Sequence, residues 1–303
     1  MSSGVTVVVP THHRPELMRR AVASVLDQQY DGDLEVVVVF DACDPFVPNV
    51  PTGGGRVLRT VTNTRTRGLA GARNTGILAA SHDYVAFLDD DDVWLPGKLA
   101  AQMSLLEAHP DAVLVGTAME VDAGERTHVR LVPHSPVTHE HLLHNRLAGL
   151  HSSSFVFRRE ALVGPIGMVD EELPGSYGED YDLLLRTSRL TPVLVVNEPL
   201  TRVTWQGQSY FFGKWSQYAD ALTWLLQAHP EFAAHDKAVG RIQSQIAFAR
   251  AAAGQRALGR SWAVRALRHH VAQPKAVLAW LIGAHLLPAR WVIWAVQRAG
   301  KGI

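Results

Sequence analysis

Two short apolar runs open the chain. Residues 5–9 are β-branched throughout and predict a buried strand that stops at Pro10, whose nitrogen cannot donate to a ladder. Leu34–Phe40 (LEVVVVF) predicts a second strand, ending at Asp41. Between them, Pro15 suits the first turn of a helix, and Met18, Ala21, Val22 and Val25 recur at helical spacing. After a Gly- and Thr-rich loop, residues 68–80 predict a turn and a helix, and residues 84–88 a third strand. Leu99, Met103 and Leu106 mark another helix, and residues 112–116 another strand. Strands alternating with helices predict an α/β fold: a mostly parallel sheet flanked by helices. Ligands of such sheets bind beyond the carboxyl ends of the strands. Polar residues fall at that edge three times: Thr11, then Asp41, then residues 89–92.

Beyond Tyr210 the pattern changes. Residues 214–228, 238–254, 259–271, 275–286 and 289–299 predict short helices rich in Ala, Leu, Trp and Arg, with no strand signal. The chain therefore divides into an α/β domain over 1–212 and a basic, all-helical C-terminal region over 213–303. The apolar stretch at 276–284 is cut by His285, Pro288 and Arg290, whereas a spanning helix needs about twenty apolar residues.

Composition adds three constraints. At 303 residues and 47% hydrophobic, the chain can bury a large core, which excludes wholesale disorder. One cysteine, Cys43, excludes an internal disulfide framework and cysteine-built metal sites, and fits a reducing compartment. The same small residue is expected to be buried. The N-terminal apolar run is short and lacks a basic lead, which argues against a signal peptide and for a cytoplasmic protein. The net charge of zero conceals an asymmetry. The last acidic residue is Asp236; from there to the end stand eleven basic residues, so residues 1–236 carry −11 and the remainder +11. So divided a charge points to two jobs.

Residues 87–94 (FLDDDDVW) are the sharpest chemical feature. Four adjacent carboxylates repel one another and invite a cation. If the strand conformation persists, Asp89 and Asp91 share one face and Asp90 and Asp92 the other. Hard oxygen ligands suit Mg²⁺ or Mn²⁺, with water and substrate phosphate completing the shell. A solvated acidic turn at a helix N-terminus is the competing account.

With this segment, five stretches stand in an order that resembles family 2 glycosyltransferases of the GT-A fold. They are VTVVVPTHHRPELMRRAVASVLDQQY, LEVVVVFDACD, RGLAGARN, LDDDDVWLPGKL and SSSFVFRREALVGPIGMVDEELPGSYGEDYDLLLR, together covering roughly residues 4–205. The resemblance implies a Rossmann-like sheet and metal-dependent, inverting transfer of one sugar from a nucleoside diphosphate sugar. It implies that Asp41 meets the nucleotide base, with UDP or dTDP favoured. Phe40 replaces the family's preceding Asp, and Ala42 and Cys43 replace its Gly-Ser. Pro10, Thr11, Arg14, Asp89 and Asp90 would line the donor site, with Arg67 and Arg73 toward its phosphates. Asp91 and Asp89 would hold the metal, and Asp180 would be the general base. Glu179, Asp180 and Asp182 also suit a helix N-terminus, whose dipole favours acids. The family's processive synthases carry Gln-x-x-Arg-Trp and membrane helices; this sequence has neither, which points to single additions.

The acceptor is expected to be a hydroxyl on a glycan, a lipid-linked sugar or a small molecule. Two other functions compete: a sugar-nucleotide pyrophosphorylase, and a non-enzymatic, cation-stabilised module that associates with membranes. The first would need a Gly-rich basic loop after the first strand, and PTHHRP is not that. HEHLLH at 139–144 places its outer histidines five apart, which does not share a helical face as a zinc pair would. His134, His139, His141, His144 and His151 are expected on a loop near the acceptor. No P-loop or dinucleotide fingerprint is present. The basic tail, with Trp280, Trp291 and Trp294, suits either packing on the acidic body or docking on an anionic membrane at the inner face of the cell. Nucleic acid is not an expected partner, because the acidic body opposes it.

Overall fold

Strands β1 (Val5–Thr11) and β2 (Leu34–Phe40) are buried along their whole length, the environment their unbroken apolar runs require. They belong to a computed structural model that describes residues 3–124, 126–205 and 213–292. Helix α1 (Pro15–Leu26) has Pro in its first turn and buries Met18, Ala21, Val22, Val25 and Leu26 against the sheet. Next come β3 (Arg56–Thr62), α2 (Leu69–Ala79), β4 (Tyr84–Phe87), β5 (Val93–Trp94) and α3 (Lys98–Ala108). They are followed by β6 (Leu114–Asp122), β7 (Thr127–Arg130), α4 (His139–His144), β8 (Val156–Arg158), α5 (Arg159–Val163), α6 (Glu179–Leu190) and β9 (Leu194–Thr204).

The sheet runs β3-β2-β1-β4-β8-β6-β9-β5, with β7 beside β6. Its first four strands are parallel, so β1, β2 and β4 present their carboxyl ends on one edge. Strand β8 then pairs antiparallel with both β4 and β6, which makes the sheet mixed.

Three expectations change. β1 continues through Pro10 to Thr11. The Val8 carbonyl accepts from the Leu88 N–H, so Pro10, two residues on, faces the β4 side after that ladder has ended. Its missing donor has no partner to lose. The Gly- and Thr-rich loop contains β3, an edge strand whose exposure alternates and whose RVLRTVT sequence lacks an apolar run. The strand expected at 112–116 starts at Leu114 and runs to Asp122.

Contacts divide the chain into two units. One comprises Met1–Leu142, Arg146–Glu171 and Glu179–Gly207; the other comprises Leu143–Asn145, Glu172–Gly178 and Gln208–Ile303. The second holds α7 (Trp215–Ala228), α8 (Asp236–Ala252), α9 (Arg256–His269) and α10 (Pro274–Gly283). Its core is made of alanines from α8, α9 and α10 with Phe248, Ile282 and Val292. No strand occurs there among the described residues, and no described helix is long and apolar enough to cross a membrane. The helix expected over 289–299 lies mostly outside the described residues, as do Trp294, Arg298 and Lys301.

Candidate active site

The acidic segment leaves β4 at Phe87 and turns at Asp90 and Asp91, with the Asp92 N–H donating to the Asp89 carbonyl at 3.1 Å. Strand alternation therefore ends before the carboxylates. The turn disperses the like charges: Asp90 and Asp91 share Arg14, while Asp89 and Asp92 turn to other partners. Arg14, at the start of α1, donates to Asp90 at 3.1 Å and to Asp91 at 2.9 Å. Thr11 Oγ1 donates to Asp90 at 2.8 Å. Arg73, on α2, is 1% exposed and donates to Asp89 at 2.5 Å and to Ser152 Oγ at 2.9 Å. Asp92 lies beneath, accepting from Ser153 Oγ at 2.6 Å and from the Thr204 N–H at 3.0 Å. Trp94 is buried, its ring nitrogen donating to the Ser153 carbonyl, which is a packing role.

These cations do not neutralise the segment. Burial pushes the Asp90 carboxyl up to about 6 against the opposing pull of Thr11 and Arg14. Burial and then Asp89 raise Asp91, and burial with Asp89 and Asp91 raises Asp92 well above its ordinary range. Burial lowers His151, favouring its neutral imidazole, whose Nδ1 accepts from the Ser153 N–H at 3.3 Å. Oxygens of Asp89 and Asp92 and a ring nitrogen of His151 lie within 4.8 Å of one another. Two carboxylates and an imidazole fit a divalent cation, the oxygens suiting Mg²⁺ or Mn²⁺ and the nitrogen favouring the transition metal. Asp91 points to Arg14 and keeps 37% of its side chain exposed at the mouth of this group.

At the end of β2, Asp41 accepts from Asn63 Nδ2 at 2.7 Å and from the Gly68 N–H at 3.0 Å, which fixes its carboxylate between β3 and α2. The RGLAGARN turn has a steric reason for its glycines. Gly68 has φ of 122°, and a Cβ on Gly71 would meet the Thr66 carbonyl at 1.9 Å. Ala42 stands at φ of 50°, the left-handed region where the family has Gly. A cleft of about 280 Å³ opens beside it, lined among others by Thr11, Arg14, Met18, Phe40, Cys43 and Phe46. Cys43 is thus half-buried in a cleft wall, not buried as expected. Arg67 is exposed on the loop before α2, and Pro10 is buried in β1.

Helix α6 begins with Glu179, Asp180 and Asp182, all buried. Arg73 also donates to Glu179, so the end of β4 and the start of α6 share one buried guanidinium. Burial and the neighbouring acids push Glu179 up to about 7 against the pull of Arg73. Burial raises Asp180 too, but Arg146, which donates to it, together with His151 and Arg73 outweighs that and holds the carboxyl below its ordinary range. Asp182 pairs with Arg186 one turn on, at 2.6 Å.

Of the residues expected at the site, Thr11, Arg14, Asp90 and Asp91 join in one linked group and Asp89 and Arg73 in another with Glu179, while Asp180, beside Glu179 in sequence, pairs with Arg146. Asp41 sits apart, at the neighbouring strand end. Sequence reasoning missed Asn63, Arg146 and Ser153 as partners, and placed His151 on an acceptor loop instead of beside Asp92. Only the polar SSS run ahead of FVF hinted at the serines.

The sequence profile described as Glycosyl transferase family 2 matches residues 6–163, more than half of the chain. The chain belongs to glycosyl transferase family 2. This sets aside the pyrophosphorylase and non-enzymatic alternatives. Among its relatives, UDP-Glc:alpha-D-GlcNAc-diphosphoundecaprenol beta-1,3-glucosyltransferase WfgD of Escherichia coli is 27% identical over 193 residues, covering 64% of this chain and 73% of the relative. Amylovoran biosynthesis glycosyltransferase AmsE of Erwinia amylovora is 28% identical over 204 residues, covering 66% and 74%. The fold resembles S. aureus TarS 1-349 in complex with UDP-GlcNAc: TM-score 0.59, 18% identity, 98% of this chain and 92% of that one. The family 2 match takes in Asp41, Arg73, the acidic segment and His151, and stops short of Asp180.

Proposed function

We propose that this family 2 transferase is a metal-dependent, inverting enzyme that adds one sugar from a UDP- or dTDP-sugar to a hydroxyl of a lipid-linked glycan, in cell-surface polysaccharide assembly. Its place is the cytoplasmic face of the membrane. The observation that carries the reading is the buried Arg73, which ties Asp89 at the end of β4 to Glu179 at the start of α6. Donor-side and acceptor-side carboxylates are thereby parts of one charged network. The relatives named for a UDP-Glc donor, a diphosphoundecaprenol acceptor and amylovoran biosynthesis support the substrate classes.

In this reading Asp41, oriented by Asn63 and Gly68, accepts the N3–H of uracil or thymine, and the adjoining cleft receives the nucleoside. Exposed Arg67 meets the diphosphate. Asp91, Asp89, Asp92 and His151 are the groups that would hold Mn²⁺ or Mg²⁺. When bound, the ion supplies Lewis-acid stabilisation of the charge that develops on the departing diphosphate. Arg146 keeps Asp180 ionised, ready to take the acceptor's hydroxyl proton. The hydroxyl oxygen attacks the anomeric carbon from the face opposite the diphosphate, so the configuration inverts without a covalent enzyme intermediate.

Thermal-shift measurement with nucleoside diphosphates tests donor binding, since a ligand of the folded state raises the melting temperature. UDP with Mn²⁺ is expected to raise it by more than ADP with Mn²⁺ does. Equal shifts would remove the assignment of base selectivity to Asp41.

A further inference from the structure

In its last described helix, the helical unit buries mainly small residues and leaves large ones outside. In α10, Ala276, Ala279 and Ile282 face the core, while Val277 and Trp280 point outward. Val292 is in the core, yet Trp291 beside it is 63% exposed, and Leu286 is 64% exposed. Val277 is at the other end of the helix from Trp280, which stands in the last turn of α10 with Leu286 just beyond it, where the end of α10 meets the start of α9. Arg260 donates to the Gly283 carbonyl there, and Arg256 lies 3.2 Å from His285. The first turn of α9 adds exposed Leu258, and Arg290 is exposed just before Trp291. From Lys237 to the end, the sequence contains no acidic residue.

We infer that this end of the helical unit docks on an anionic bilayer surface, with Trp280, Leu286 and Trp291 entering the headgroup region and Arg256 and Arg290 meeting lipid phosphates. An apolar protein groove would not call for a rim of cations without one acid. An acidic protein would not need three large apolar side chains held in water. Indole rings flanked by guanidinium groups suit the boundary where hydrocarbon meets charged headgroups. Each basic residue near such a surface strengthens adsorption by about fivefold at low salt. The inference concerns a surface outside the transfer site and stands without the proposed chemistry.

Cosedimentation with phosphatidylcholine vesicles, with and without phosphatidylglycerol, tests it. The full chain is expected to sediment with the anionic vesicles only, and to be released as salt rises and screening shortens. Leu286→Ser with Trp291→Ser is expected to weaken adsorption by at least about tenfold, and Arg256→Glu with Arg290→Glu by at least about 25-fold. Circular dichroism checks that both variants fold. Each should keep the wild-type melting shift with UDP and Mn²⁺. Adsorption that the variants leave unchanged overturns the inference. So does a wild-type chain that ignores anionic vesicles, or one that self-associates through this end by light scattering. If vesicles bind but no sugar nucleotide is ever turned over, the function reading fails and the docking surface stands.

Discussion

The parallel strands carry a buried carboxylate group at each end, and the two are built on opposite plans. At the start of β2, Glu35 accepts from Thr6 Oγ1, the Ser81 N–H and hydroxyl, and Arg59. Burial would raise its carboxyl, but those donors together hold it below the ordinary range. At the other end, Asp90, Asp91, Asp92 and Glu179 are all raised despite Arg14 and Arg73. A carboxylate whose donors outweigh its desolvation stabilises the fold. A group of them whose cations fall short is a charge deficit held in place by the rest of the structure.

Four measurements would sharpen or break this contrast. The largest effect is expected at Asp180: Asp180→Asn should lower kcat by roughly 10²–10⁴-fold while UDP affinity is kept. Full activity in that variant would remove the general base. Glu35→Ala should cost about 2 kcal/mol of stability in denaturant melts, because the Thr6 hydroxyl and the Ser81 N–H lose their buried acceptor. Its binding of UDP with Mn²⁺ should be unchanged, and any loss there would blur the distinction between the two ends. Asp91→Ala should weaken manganese-assisted UDP binding by about tenfold or more, read by calorimetry. Untouched affinity would leave the metal to Asp89, Asp92 and His151 alone.

The smallest effect is in pH dependence, and its sign differs between the ends. A raised folded pKa means the native state holds more protons than the unfolded chain between the ordinary carboxylate value and the folded one. For Asp90 and Glu179 that window runs from about 4 up to about 6 and about 7. Stability of the metal-free chain should therefore fall as pH rises through it, and Asp90→Asn should flatten the slope. Glu35, whose folded value is lowered, contributes stability above the ordinary carboxylate value that is lost on further acidification. A metal-free melting temperature that climbs from pH 5 to 7 would contradict the charge deficit.

Much of the parallel half was legible in the letters. The bounds of β2 follow its apolar run, and α1 buries the residues its periodicity named, because an element buried on a whole face cannot hide its pattern. β3 escaped because an edge strand needs burial on few of its side chains, and β9 because its exposure is intermediate along most of its length. At the site, residue types and strand ends pointed to the acidic segment and Asp41, whereas Asp180 was singled out only by the resemblance to the family. The pairing of Arg146 with Asp180 was not legible, since residues 34 apart in sequence carry no mutual signal.

Apolar periodicity and the run of four aspartates were enough to establish an α/β sheet with charge concentrated at its carboxyl edge. Local sequence encodes which face of a strand or helix avoids water, and where the chain must turn. Which carboxylate meets which cation was settled only when the sheet assembled, because that choice depends on distances between strands. The turn at Asp90 and Asp91 sent Asp92 inward to Ser153 and His151, and left Asp91 with Arg14 at the surface.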